Sequence, residues 1–167
     1  MTEAFIQYLY YFHGPNDYFE CHEVLEEHWK KKQKKHDIWV GFIQLAVSLY
    51  HMRRGNYKGA KKTIDRSSII FKQHFSEIEQ LGIDPEALYK QTLSIKKQIL
   101  AKQPYQCFVL PFRDTGLQKD IENRCREGGY TFGSPDCLNE QIIHKHRLRD
   151  RSQVIAARVD ALTKRHP

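Results

Sequence analysis

The sequence predicts an all-α fold: a helical bundle with a C-terminal, partly helical extension in which two short segments are suited to a small two-stranded element. Three observations predict it. Apolar residues recur at three- and four-residue spacing through the first hundred positions, as the buried stripe of a helix requires. Cap residues and breakers punctuate that pattern at Gly14-Pro15, Asp37, Gly55-Asn56 and Asp84-Pro85. The connections between the periodic stretches are short, which favours antiparallel neighbours in a bundle.

Each element follows from its own residues. Phe5, Ile6, Leu9 and Tyr10 mark a short first helix, stopped by Gly14-Pro15. Asn16 or Asp17 caps a second helix, which runs to about Lys35. Asp37 caps a third, from Ile38 to about Arg54, with Gly55 as its left-handed stop. Asn56 caps a fourth to about Phe75, with Ala60, Ile64, Phe71 and Phe75 on one face. Asp84-Pro85, a cap followed by proline at the first helical position, opens a fifth that runs to about Lys102.

Beyond Pro104 the pattern changes. The apolar run Gln106–Pro111 suits extended backbone, and Tyr130-Thr131-Phe132 is its candidate partner. A helix is expected between them, over 116–127, and two more at 138–147 and 152–164. The change of pattern divides a core domain, 1–103, from a basic extension, 104–167, packed on it.

Composition sets the function classes. A chain of 167 residues, 40% hydrophobic and 12% aromatic, fits one domain with a packed core. No apolar run approaches the ~20 residues that cross a bilayer, and the opening MTEAFIQ has no basic leader. Cys21, Cys107, Cys125 and Cys137 form no C-x-x-C pair. A reduced, cytoplasmic setting without membrane partners is the expectation. The net charge of +7 is unevenly spread. Residues 1–29 carry six acids and no Lys or Arg, and Lys30–Lys35 then supplies five lysines. Residues 141–167 carry seven basic residues against Asp150 and Asp160. Such clusters can meet nucleic acid or an acidic protein. Equally, Lys30–Lys35 suits the negative end of a helix dipole, and Arg147, Arg149 and Arg151 can pair with the acidic N-terminal helices. Sequence leaves the oligomeric state open, a homo-oligomer included.

The chemistry concentrates in the second and third helices. On a helical projection of 18–29, His22 and Glu26 fall inside the apolar arc of Leu25, Cys21, Val24, Trp29 and Phe19. Glu23 borders that arc, and Glu20 and Glu27 face away. A carboxylate in an apolar arc needs a partner. His22 and Glu26 are one turn apart and can converge on one atom, the logic of the HExxH zinc helix, here an HExxE string. The third helix is apolar almost all round, except for a stripe of Gly41, Gln44, Ser48 and His51. His22, Glu26 and His51, with Gln44 beside them, therefore assemble into a candidate metal site. The competing reading is a buried hydrogen-bond network of Glu26 with His51 and Gln44 that fixes helix packing. His144 and His146 are two apart, point to different sides of a helix, and cannot share an ion with Cys137. His13 and His28 read as helix-end or surface residues, Cys21 as core, and Asn56 as a cap.

The strings YFECHEVLEEHW (18–29) and GFIQLAVSLYHMRRGNYKGA (41–60), with Phe12-x-Gly14 before them, resemble the bacterial and archaeal domain-of-unknown-function family 309. The tail IIHKHRLRDRS (142–152) resembles its longer members. The resemblance implies a small helical bundle and a predicted metal-dependent hydrolase, a label resting on the same His/Glu motif. It carries over to Glu20, His22, Glu23, Glu26, Gln44, His51 and Asn56. Two functions follow as expectations. In the first, His22, Glu26 and His51 hold a divalent ion (zinc, manganese or iron) and Glu23 is the general base of a hydrolase. In the second, a non-enzymatic accessory protein uses those residues structurally and its basic surface to meet nucleic acid or an acidic partner.

Overall fold

The structure, a computed structural model, describes residues 1–33, 36–134 and 140–145. Among them are eight helices: α1 (Glu3–His13), α2 (Tyr18–Lys31), α3 (Ile38–Arg53), α4 (Tyr57–Gln73), α5 (Phe75–Gln80), α6 (Pro85–Leu100), α7 (Thr115–Glu127) and α8 (Glu140–Ile143). The fold is an all-α bundle. Its central element is α3, apolar nearly all round, which packs on α2 at one side and on α4 at another. Helix α1 packs on α2 and α7, and α6 covers α4. The centre is aromatic: Phe42 meets Phe5 at 5.1 Å, Tyr8 at 5.7 Å and Phe71 at 4.9 Å between ring centroids. The Tyr8 hydroxyl donates to the Phe42 carbonyl at 2.9 Å, so this buried phenol is satisfied.

Local chemistry explains most helix starts. Asp17 accepts from the Glu20 N–H, Asn56 from Gly59, Asp84 from Ala87, and Asp114 from Gly116 and Leu117. Gly55 takes φ +71°, the left-handed stop after α3. Asp37 departs from expectation. It stands at the start of α3 with helical backbone and no side-chain cap bond. The fourth helix ends at Gln73 because His74 leaves helical geometry (φ −124°), and α5 begins there.

The expected two-stranded element does not form: among the described residues there is no strand, only an isolated antiparallel bridge between Ile83 and Phe112. The backbone of this segment bonds elsewhere. The Asp84 N–H donates to the Pro111 carbonyl at 2.8 Å, and the Arg113 and Asp114 N–H groups converge on the Gly82 carbonyl. The Leu110 N–H donates to the His13 ring. Leu110, Leu117, Ile121 and Cys125 join the same apolar cluster as Phe5 and Leu9, so residues beyond 103 share the core.

His13 closes α1, as the helix-end reading has it, but it is fully buried rather than at the surface. Its Nδ1–H donates to the Leu9 carbonyl at 2.8 Å, and its Nε2 accepts the Leu110 N–H at 3.1 Å. The ring stacks on Phe132 at 4.8 Å. Burial holds its pKa down at about 4, so the neutral ring is a structural link between α1 and the 105–112 segment. Its spacing from Phe5 and Leu9, eight and four residues, is the signal that places it on the core face. No helix among the described residues is long and apolar enough to cross a membrane. The expected helix at 152–164, Cys137, His146 and Arg147, Arg149 and Arg151 lie outside the described residues.

Candidate functional site

Asp17 starts α2 and so sets the phase that brings one turn of donors to a common face. His22 Nδ1 lies 3.1 Å from Glu23 Oε1, and His22 Nε2 lies 3.6 Å from Glu26 Oε2. The other Glu26 oxygen meets Lys30 Nζ at 3.2 Å. One donor atom from each of His22, Glu23 and Glu26 lies within 4.8 Å of the other two. Their side chains are 28%, 35% and 33% exposed, open enough to move and closed enough to be placed.

An imidazole with two carboxylates is a donor set that zinc, manganese and iron accept. Donors in a tetrahedral shell with bonds of about 2.0–2.1 Å stand roughly 3.3 Å apart. The separation of His22 Nε2 from Glu26 Oε2 is already close to that value, while Glu23 stands against the other ring nitrogen, so His22 and Glu26 are the pair that can share an ion. The residues present therefore fit a divalent cation.

Beside this cluster is a cleft of about 220 Å³ between α2 and α3. Phe19, Val47 and Tyr50 form its apolar wall, and His22, His51 and Arg54 its polar edge. The Arg54 guanidinium lies 5.4 Å from the Tyr50 ring centroid, a cation–π contact. His51 lines the cleft but is not one of the clustered donors. Asn56 explains its state. The Asn56 Oδ1 accepts the Gly59 N–H at 3.0 Å, so its Nδ2 must be the atom 3.1 Å from His51 Nδ1. An amide nitrogen only donates, hence Nδ1 accepts and Nε2 carries the ring proton. Burial, then Arg54, lowers the His51 pKa and favours this neutral form.

The polar stripe of α3 turns mainly toward α4 rather than α2. Ser48 Oγ donates to the Ala60 carbonyl at 2.9 Å, and the Gly41 carbonyl accepts from Ser67 Oγ at 2.9 Å. Small side chains on both helices let the backbones approach, and backbone carbonyls satisfy the hydroxyls. Gln44 is half-buried and outside the cleft lining. Glu20 faces away from the donors, as expected, but takes a partner: Lys145 Nζ sits 2.7 Å from Glu20 Oε1 and 2.7 Å from Asp17 Oδ2. The extension thus meets the acidic α2 start through a lysine. Arg54 and Tyr18 at the cleft were missed by sequence reasoning. An arginine pair ending a buried helix is the available signal for the first.

These features define a class: a small all-α bundle with a histidine–carboxylate cluster opening on an interhelical cleft. The chain belongs to the family described as a domain of unknown function, DUF309, whose profile matches residues 5–63. That stretch contains the three donors, His51 and Asn56. The uncharacterised protein YpuF of Bacillus subtilis (strain 168) is 44% identical over 168 residues, covering 98% of this chain and 95% of that protein. No solved structure matches.

Proposed function

We propose that the chain is a metal-binding helical protein that acts as a metal-dependent hydrolase at the α2–α3 cleft. The observation that supports it is the cluster of three donors within 4.8 Å on the edge of a formed cleft. His22 and Glu26 hold a divalent cation. When bound, the cation supplies Lewis acidity at the bond to be cleaved and makes water more acidic. Glu23, beside both, accepts the proton from the attacking water at a carboxylate oxygen. His51, with its proton on Nε2, donates to the substrate oxygen that gains charge, and Asn56 holds that tautomer. Phe19, Val47 and Tyr50 exclude water from one side of the substrate.

The test is an ion count by mass spectrometry on protein purified without added metal, then on protein equilibrated with zinc, manganese or iron. The expected outcome is near one ion per chain, lost in His22→Ala and in Glu26→Gln. No retained ion in the metal-replete sample removes the reading.

A second reading is favoured by one observation: every charge in this cluster already has a partner within the chain. Glu23 and Glu26 flank the His22 ring, Lys30 meets Glu26, Lys31 meets Glu27 at 2.8 Å, and Lys145 meets Asp17 and Glu20. In that reading the chain is a non-enzymatic accessory protein whose basic surface meets nucleic acid or an acidic partner. A titration with short duplex DNA at low salt separates the two. Tight binding that weakens steeply with salt supports the accessory role.

A further inference from the structure

We propose that the face shared by α4 and α6 is a docking surface for the phosphate backbone of a double-stranded nucleic acid. It is separate from the lysine run at 30–35 and holds with or without an ion at His22. It deepens the accessory reading by naming its surface. Residues 57–73 carry five Lys or Arg against Asp65, and residues 88–103 carry four lysines against no acid. The six acids of residues 1–29 belong to α1, α2 and the turn between them, which pack chiefly on one another, on α3 and on α7.

Helix phase gathers the charges of α4. Lys58, Lys61, Lys62, Arg66 and Lys72 fall within an arc of roughly 140°, opposite the buried Ala60, Ile64 and Phe71. From Lys58 to Lys72 that stripe runs about 21 Å along the axis. Helix α6 lies beside it with the opposite direction. Lys96 Nζ meets Asp65 at 2.7 Å, and the Tyr57 hydroxyl donates to the Gln103 carbonyl at 3.1 Å. Lys61 meets Asp65 at 2.7 Å as well, so the one carboxylate of α4 is shared by two lysines. Lys90, at the far end of α6, pairs with Glu86 at 3.7 Å. Among the described residues Lys58, Lys62, Arg66, Lys72 and Lys97 make no ion pair, and all five are exposed. The surplus is lysine and arginine, with no histidine in it.

The chemistry of the band selects the partner. A stripe of exposed cations complements a linear polyanion, and a DNA duplex presents one charge per about 1.7 Å of its axis. Protein interfaces are depleted of lysine and enriched in aromatic residues at their centres, and no aromatic residue between 57 and 103 is exposed. The same lack disfavours a single strand, whose bases stack on aromatic side chains. A membrane surface takes up the apolar face of an amphipathic helix, and those of α4 and α6 are buried in the bundle. Contacts to phosphate alone carry no sequence information, so the binding is indifferent to base sequence.

The experiment titrates the full chain into a short, fluorescently labelled DNA duplex and reads anisotropy from about 50 mM salt upward. The expected dissociation constant is micromolar at low salt, equal for two unrelated sequences, and rises steeply with salt. The triple variant Lys58→Gln/Lys62→Gln/Arg66→Gln keeps good helix formers at exposed positions and should keep the unfolding midpoint. It should weaken binding about tenfold or more and make the log–log salt slope shallower by about 2.7, at ~0.9 per phosphate. Lys97→Gln/Lys102→Gln, on the other helix, should make the slope shallower by about 1.8, so the result does not hang on one variant. Lys31→Gln/Lys32→Gln should leave it unchanged. Unaltered binding in both face variants overturns the proposal and moves the accessory role to another surface, whereas no binding of either duplex removes both. Polyglutamate that competes as well as unlabelled duplex makes the partner an acidic protein. Retention on phosphatidylserine vesicles at salt that releases the duplex makes it a membrane. Either result also overturns the proposal.

Discussion

The two sides of α3 use the same kinds of residue to opposite ends. On the α4 side, Gly41, Ser48 and Ser67 let two backbones close together, and each hydroxyl ends on a carbonyl. A Cβ at Gly41 would sit 2.8 Å from the Phe71 ring and 2.9 Å from Ile70. His13, on α1, shows the same closure, with both ring nitrogens bonded to backbone. On the α2 side the polar residues face one another and a cleft, and the donor side chains remain about a third exposed. Polar groups satisfied by backbone are structural. Polar groups satisfied only by other mobile side chains are available to a ligand.

The comparison can be broken or sharpened by experiment. The largest effect belongs to His13. Its folded pKa, about 4, lies below the ordinary 6.5, so the unfolded chain takes up a proton that the folded chain refuses. Stability is therefore complete above pH 6.5 and declines as pH falls toward 4, by about 3 kcal/mol. His28 and His51, also held low, act in the same direction. Urea unfolding at pH 7 and pH 4.5 measures it, and equal stabilities would mean that the His13 site is not closed.

Next comes Gly41→Ala. Overpacking against Phe71 and Ile70 should destabilise by about 2 kcal/mol, more than the ~1 kcal/mol that alanine adds in helix propensity. A variant with a raised unfolding midpoint would show that the α3–α4 face has room.

Asn56→Ala sits between the two sides. Loss of the α4 cap should cost about 1 kcal/mol. It should also free the His51 tautomer, which shifts the His51 ring nitrogen resonances in an NMR spectrum. A purely capping role leaves those resonances unmoved.

The smallest stability change is expected on the open side. His22→Ala and Glu26→Gln should alter unfolding free energy by less than about 0.5 kcal/mol, because their ion pairs are part-exposed. Bound metal, by contrast, should disappear. A loss of several kcal/mol in either variant would make the cluster a structural network and move it to the closed class.

The sequence by itself determined the all-α class, most helix starts and the turn bearing His22, Glu23 and Glu26. Those depend on spacing within one helix and on caps within three residues, both local. Only the tertiary structure decided what depends on which helix lies beside which. It turned Ser48 and Gly41 to α4, because hydroxyls and small residues permit close backbone approach there. It left His51 at a cleft edge with its tautomer held by Asn56, and it brought Lys145 to Asp17 and Glu20 across the chain. It also kept the 106–111 segment from pairing as a strand, because its Pro111 carbonyl accepts from Asp84 and its Leu110 N–H donates to a buried histidine ring. Helix phase is local and can be read along the chain. Partner choice is a matter of packing among distant segments, and spacing carries no record of it.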